Sequence, residues 1–119
     1  MATFSKTILS GSTDGKGVLV AATATAGTLV HTGSATAATL HEVWLYAVNT
    51  SASDVKLTIE WGEATAPNGN IEYTVKAENG LYLIIPGLIL KGNATALTIK
   101  AFAATTNVIV VHGYVNVIA

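Results

Sequence analysis

Hydrophobic residues along this chain alternate with polar ones or form short unbroken runs, and turn-forming residues interrupt them roughly every eight to twelve positions. This rhythm is typical of a β-sandwich or barrel, and the abundant Thr, Val and Ile favour strands. No window has the three- and four-residue spacing of an amphipathic helix. The pattern predicts strands near residues 4–10, 17–23, 27–32, 40–49, 54–62, 70–77, 81–85, 88–91, 96–103 and 107–118.

We therefore expect an all-β fold, a single antiparallel β-sandwich that is jelly-roll-like, with about eight to ten short strands. One domain should span residues 1–119, because no linker or change of composition divides the chain. Residues 1–10 are expected to form an extended N-terminal arm. The chain is long enough to build a core without disulfides, and it contains no cysteine.

Three pairs of consecutive strands are predicted to form hairpins. The first turns at residues 50–53 and places Trp44, Tyr46 and Trp61 on its core face with aliphatic neighbours. The second turns at Asn79-Gly80, a strong hairpin signal because both residues accept a positive φ. The third joins the last two strands. In the first two hairpins one strand alternates cleanly, whereas its partner is apolar on both faces.

The second apolar face of such a strand needs cover. A loop or the N-terminal segment of the same chain is one candidate, and a neighbouring subunit is the other. The more specific hypothesis is that a neighbouring subunit covers this face, and it predicts a homo-oligomer. The N-terminal segment adds apolar side chains suited to strand addition at a neighbour's sheet edge. The predicted interface residues are Phe4, Ile8, Leu9, Val43, Leu45, Leu81, Leu83 and Ile85.

Charge is scarce. Charged residues make up 11% of the chain, with six lysines, no arginine and a net charge of −1, while half of all residues are hydrophobic. Soluble domains use about a quarter of their residues for charge, so this surface suits a protein that lies against other copies or another assembly. Without a basic patch we expect no nucleic-acid partner. Without a long uninterrupted apolar run we expect no membrane partner.

Candidate catalytic chemistry is weak. His31, His41 and His112 fall in separate predicted strands and lack metal-ligand spacing, and no G-x-S-x-G sequence offers a nucleophile. We therefore expect no enzyme activity, no catalytic or metal-binding residue and no cofactor. The aromatic residues are candidates for a sugar-stacking platform, but the predicted register of the first hairpin favours a core position for three of them.

Three segments carry a resemblance to a known group of proteins. Glu42 to Gly62 (EVWLYAVNTSASDVKLTIEWG) resembles small virion structural proteins of tailed bacteriophages, and so do residues 81–87 (LYLIIPG) and 108–118 (VIVVHGYVNVI). The likeness extends over residues 27–119. It implies a β-sandwich that coats or cements a capsid, or that belongs to the tail or a fibre. The resemblance brings no active-site residues with it.

From this resemblance we expect a non-enzymatic virion structural protein, a capsid decoration or cement protein that binds the outside of a phage head as a homo-oligomer. A trimer suits the local threefold positions of a capsid. The expected partners are other copies of the chain and the major capsid protein or another virion protein. The expected location is the virion, assembled in the host bacterial cytoplasm. The alternative is a receptor- or carbohydrate-binding module of a tail or fibre, which needs at least two aromatic side chains on one exposed face.

Overall fold

A computed structural model of the protein describes residues 2–119, and Met1 lies outside the described residues. These residues contain no helix, and the all-β prediction is confirmed. The strands are β1 (Phe4–Ile8), β2 (Val18–Leu19), β3 (Thr28–Thr32), β4 (Leu40–Asn49), β5 (Val55–Trp61), β6 (Asn70–Val75), β7 (Tyr82–Lys91), β8 (Thr98–Ala103) and β9 (Ile109–Ile118).

The strands pair in the order of a jelly roll. β1 and β2 pair with β9, β3 with β8, β4 with β7 and β5 with β6, all antiparallel. The chain thus pairs with itself like one long hairpin. Ladders between β4 and β9 and between β5 and β8 roll this hairpin into two facing sheets. Sheet A has the order β1-β9-β4-β7, with β2 also against β9, and sheet B has the order β3-β8-β5-β6. The predicted jelly-roll-like sandwich is confirmed.

The three predicted hairpins do not form. β4 and β5, β6 and β7, and β8 and β9 are consecutive in the chain, but the two members of each pair lie in different sheets. The connections 50–54, 76–81 and 104–108 therefore cross from one sheet to the other. Among the described strands only β5 and β6 are consecutive and paired, and the Trp61 amide closes their loop by donating to the Gly69 carbonyl at 2.7 Å.

The two strands predicted at 81–85 and 88–91 are one strand, β7. Pro86 lies in its middle, which is tolerated because β7 is an edge strand and needs no amide donor on its free side. Gly87 follows with a φ of 78°. A Cβ at this position would lie 2.9 Å from the Trp44 ring, so the close approach of the ring also requires glycine.

The core fills the space between the sheets, and β4 and β5 supply its centre. Both strands direct aliphatic side chains inward, and each of these side chains is at most 3% exposed. The residues are Val43, Leu45 and Ala47 from β4, and Val55, Leu57 and Ile59 from β5. Trp61 packs against this core and is partly buried.

The inward face of β4 is the opposite of the one predicted. Trp44, Tyr46 and Val48 alternate with the buried residues and are only partly buried, so they lie on the outer face of sheet A. The prediction was wrong because it tied the faces of β4 to those of β5 through a hairpin register. Since the two strands lie in facing sheets, no such register connects them.

Residues 2–10 fold back onto their own chain. β1 pairs with β9 from Phe4 opposite Ile118 to Ile8 opposite Tyr114. Leu9 then enters the core and is 1% exposed. The extended-arm prediction is therefore corrected in this structure: the segment is an edge strand of sheet A that a core residue anchors.

Candidate functional site

The eight predicted interface residues divide into two equal groups. Four are at most 2% exposed: Leu9, Val43, Leu45 and Ile85. Their assignment to an interface was wrong, because the opposite sheet of the same chain covers them. The other four are between 38% and 73% exposed: Phe4, Ile8, Leu81 and Leu83. All four lie in or next to the two edge strands of sheet A, β1 and β7.

The exposed apolar side chains are concentrated at one edge of the sandwich. Within the described part of the chain, nine large hydrophobic residues are exposed, and five of them lie between positions 81 and 89. We call these five the β7 edge patch: Leu81, Tyr82, Leu83, Leu88 and Ile89. Charge, proline and β-bulges commonly protect an edge strand. Between Leu81 and Leu90 this one carries no charge, although it contains Pro86 and two register shifts against β4.

β1 forms the other edge of sheet A and is exposed along its whole length. Phe4 is 73% exposed and Ile8 46% exposed. Because each neighbouring pair in the order β1-β9-β4-β7 is antiparallel, β1 and β7 run in opposite directions. The β1 edge of one molecule therefore has the direction that antiparallel pairing with the β7 edge of another requires.

Aromatic side chains line the outer face of sheet A. Trp44 of β4 and Tyr114 of β9 are cross-strand partners whose rings stack, with centroids 6.1 Å apart and planes 11° apart. Lys6 of β1 places its ammonium 4.8 Å from the centroid of the Tyr114 ring. Tyr46 follows Trp44 on the same face, opposite His112. The carbohydrate-binding alternative needs at least two aromatic side chains on one exposed face; Trp44, Tyr46 and Tyr114 share the outer face of sheet A and are partly buried.

A row of polar residues crosses this aromatic face. Lys6, Asn116 and Glu42 are consecutive cross-strand partners on β1, β9 and β4. The Glu42 Oε1 accepts hydrogen bonds from the Trp44 indole Nε1 at 2.9 Å and from the Asn116 Nδ2 at 2.8 Å. These two donors, with the indole first, hold the pKa of the Glu42 carboxyl below its usual range, so the group is ionised at neutral pH.

His31 and His41 form a buried pair that joins the two sheets. His31 Nε2 and His41 Nδ1 are 2.8 Å apart, and the side chains are 2% and 8% exposed. The Ser10 amide donates to His31 Nδ1 at 3.0 Å. His31 Nδ1 is therefore unprotonated, and its Nε2 donates to His41. The separate predicted strands had given no sign of this contact. Within residues 2–119 no group of three His, Cys, Asp or Glu side chains is placed to hold a metal ion.

The outer face of sheet B differs from that of sheet A. Lys56 and Glu72 form an exposed ion pair at 3.0 Å. Glu60 is 2% exposed because residues 21–27 cover it. Its carboxylate accepts hydrogen bonds from the Thr25 hydroxyl and from the Gly27 amide, the second at 2.6 Å. Glu60 therefore stabilises the covering segment and is not free to bind a ligand. The candidate functional surfaces are those described above on sheet A.

One feature of the sequence could have indicated the polar row, namely the similarity of β4 and β9. β4 and β9 are both ten residues long and apolar on both faces, as expected of central strands that neighbour each other in a sheet. A sequence-based prediction that paired β4 with β9 in the observed register would have placed Glu42 opposite Asn116. Their separation of 74 positions hides the contact from any local pattern.

Comparisons of the chain with protein-family models, with curated proteins and with solved structures find no match. No helix within residues 2–119 has the length and hydrophobicity needed to cross a membrane.

Proposed function

We propose that this protein is a non-enzymatic virion structural protein, of the capsid decoration or cement type, that self-associates through the edges of sheet A. The β7 edge patch is the observation that carries the proposal. Five exposed apolar residues along an edge that carries no charge from Leu81 to Leu90 are costly for a molecule that stays alone, because such an edge invites pairing with another chain. The proposal also draws on the resemblance of residues 42–62 to phage virion proteins.

The β1 edge of a neighbouring copy is the partner that we propose for the β7 edge patch. Phe4 and Ile8 supply apolar side chains on an edge that runs in the required direction. Backbone pairing reaches only as far as Pro86, which has no amide to donate. Side-chain burial therefore contributes much of the contact, on the order of 1 kcal/mol for the exposed part of each large side chain.

This contact joins two different surfaces of the same chain. Such a head-to-tail contact closes into a ring when the rotation between copies permits it. A ring of three copies is the assembly that we propose, because it matches the local threefold positions of a capsid. The outer faces of the sheets remain accessible in such a ring, since strands that pair edge to edge leave the faces uncovered.

Intact particles provide the test of the virion role. Mass spectrometry of purified virions from the genome that encodes the chain should detect it in a fixed ratio to the major capsid protein. Electron cryo-microscopy should then place it on the outside of the head. Absence of the chain from purified particles would refute the virion role. A position on the tail or a fibre would favour the alternative module.

A further inference from the structure

The polar row on sheet A borders a cavity of about 350 Å³. Residues of β1, β9 and β4 line it: Phe4, Ser5, Lys6, Asn116, Ile118 and Glu42. This volume lies at the lower end of the range for small-molecule sites. The cavity thus has room for a small ligand, and among its lining residues Phe4 also belongs to the edge contact proposed above.

The cavity holds a carboxylate whose position is fixed before any ligand arrives. Glu42 Oε1 already accepts two hydrogen bonds, from Trp44 and Asn116. Its Oε2 accepts none from the described residues and is available to a ligand. An ionised carboxylate only accepts hydrogen bonds, so the ligand group beside Glu42 must be a donor. Holding the acceptor in place reduces the entropy that binding would otherwise cost.

The charges in the cavity restrict the ligand further. Lys6 lies across the row from Glu42 and has no ion-pair partner among the described residues. An anionic ligand would be attracted by Lys6 but repelled by Glu42, and a cationic one attracted by Glu42 but repelled by Lys6, so neither sign of charge is favoured by both groups. A neutral ligand with several hydroxyl groups satisfies both, because a hydroxyl donates to a carboxylate and also accepts from an ammonium.

Apolar groups stand beside these polar ones. Phe4 and Ile118 form part of the cavity wall, and the stacked rings of Trp44 and Tyr114 occupy the next row of the sheet. A sugar combines hydroxyl groups with apolar C–H faces, which matches this combination of surfaces. From this we infer that the cavity is a binding site for a neutral saccharide, with Glu42, Asn116 and Lys6 as its polar contacts.

A free amino acid is the main rival, since it carries one charge of each sign. Lys6 and Glu42 sit on strands that are separated by β9, so their backbones are roughly 10 Å apart. An amino acid holds its two charged groups on a single carbon, whereas the Lys6 ammonium lies over the Tyr114 ring and forms no ion pair with Glu42. Glycine and alanine therefore serve as probes that should not bind.

The test is a titration of the 119-residue protein, followed by NMR. The probes are glucose, galactose, mannose, N-acetylglucosamine and their β-1,4-linked disaccharides. The chain has two tryptophans, so the indole N–H of Trp44, which donates to Glu42, reports on the site, and that of Trp61 serves as an internal control. At least one saccharide should shift the Trp44 signal saturably at millimolar concentration, and the Trp61 signal should stay in place.

Variants then assign the binding to the cavity. Glu42→Gln and Lys6→Gln should each weaken the saccharide at least tenfold, while Glu72→Gln on sheet B should leave it unchanged. Lys6 is on an exposed edge strand, so its variant remains informative if the Glu42 variant fails to fold. No saturable shift with any probe saccharide, equal binding by both variants, or binding of glycine and alanine instead would overturn the inference. None of those results would bear on assembly through the sheet edges. That proposal is tested separately, by the effect of the variant Leu83→Lys in the β7 edge patch on the oligomer mass.

Discussion

At the scale of single residues, the buried His31–His41 pair contains the most specific chemistry of the fold. Burial and, as the smaller cause, the neighbouring His41 together lower the pKa of His31 to about 4. Burial also lowers the pKa of His41. A proton on His31 Nδ1 would face the Ser10 amide, which donates to that atom. Both histidines are therefore neutral in the folded protein, and the pair connects β3 and β4 across the sandwich.

The pair predicts a loss of stability in acid. Below pH 6.5 an unfolded histidine binds a proton that folded His31 does not accept until about pH 4, and the lowered pKa of His41 acts in the same direction. The stabilisation is thus complete above pH 6.5 and lost as the pH falls toward 4, by roughly 3 kcal/mol for His31, since each pKa unit corresponds to about 1.4 kcal/mol. Urea unfolding at a series of pH values measures it.

Carboxylates also titrate in the lower part of this window, so variants are needed to isolate the pair. The double variant His31→Gln/His41→Gln should be less stable at pH 8 and lose much less stability between pH 6.5 and pH 4. His112→Gln, which leaves the pair intact, should keep the full pH dependence. Equal pH dependence in all three proteins would rule out the pair as its source.

At the scale of elements, local pattern located the strands but not their partners. All ten predicted segments overlap observed strands, eight of them one to one and the other two both on β7, since alternation and turn residues are local properties. The Asn79-Gly80 connection shows the limit. It has the sequence of a hairpin turn, yet it joins β6 of sheet B to β7 of sheet A.

The candidate site depended on that missing information. The rings of Tyr73 in β6 and Tyr82 in β7 stack with centroids 4.9 Å apart, but across the two sheets and not within a hairpin. The sequence correctly predicted exposed apolar side chains at four interface positions: Phe4, Ile8, Leu81 and Leu83. The burial of Val43 and Leu45 could not, because it depends on a facing sheet formed by distant residues.

The reversed face of β4 gives a stability prediction with a matched control. Val43 is 0% exposed in the core, and Val48 lies partly buried on the outer face. Val43→Ala should cost about 2–3 kcal/mol, since it removes buried methyl groups and leaves a cavity. Val48→Ala should cost about 1 kcal/mol or less. Chemical denaturation measures the free energy of unfolding of both variants. A larger loss in Val48→Ala than in Val43→Ala would support the inward face first predicted from the hairpin register.

At the scale of the whole molecule, the low charge and the apolar edges of sheet A determine which kind of contact we expect between copies. Six lysines, no arginine and a net charge of −1 leave few ion pairs for an interface. The edges of sheet A instead offer leucine, isoleucine and phenylalanine side chains with unpaired backbone groups beside them. Copies should therefore associate through apolar contact and strand pairing.

Salt dependence follows from this description. Screening weakens interactions between charges and leaves apolar contact intact, so the oligomer should persist in roughly 0.5–1 M NaCl. Deletion of residues 2–8 should weaken association and spare the core, because Leu9 is the first buried residue in the described range 2–119. Analytical ultracentrifugation across a salt series measures both effects. Dissociation by moderate salt alone would show that charged contacts hold the copies together.

The central claim, assembly through the β7 edge patch, is tested most directly by light scattering of purified protein at micromolar concentration. The wild-type chain should have three times the 12.2 kDa chain mass. Leu83→Lys should reduce the mass to that of one chain while the protein remains folded. Leu29→Lys is the matched control, because Leu29 is exposed to a similar extent, 41% against 38%, on an edge strand of sheet B, and its mass should equal that of the wild type. A wild-type protein with the mass of one chain, or an unchanged oligomer in Leu83→Lys, would contradict the account.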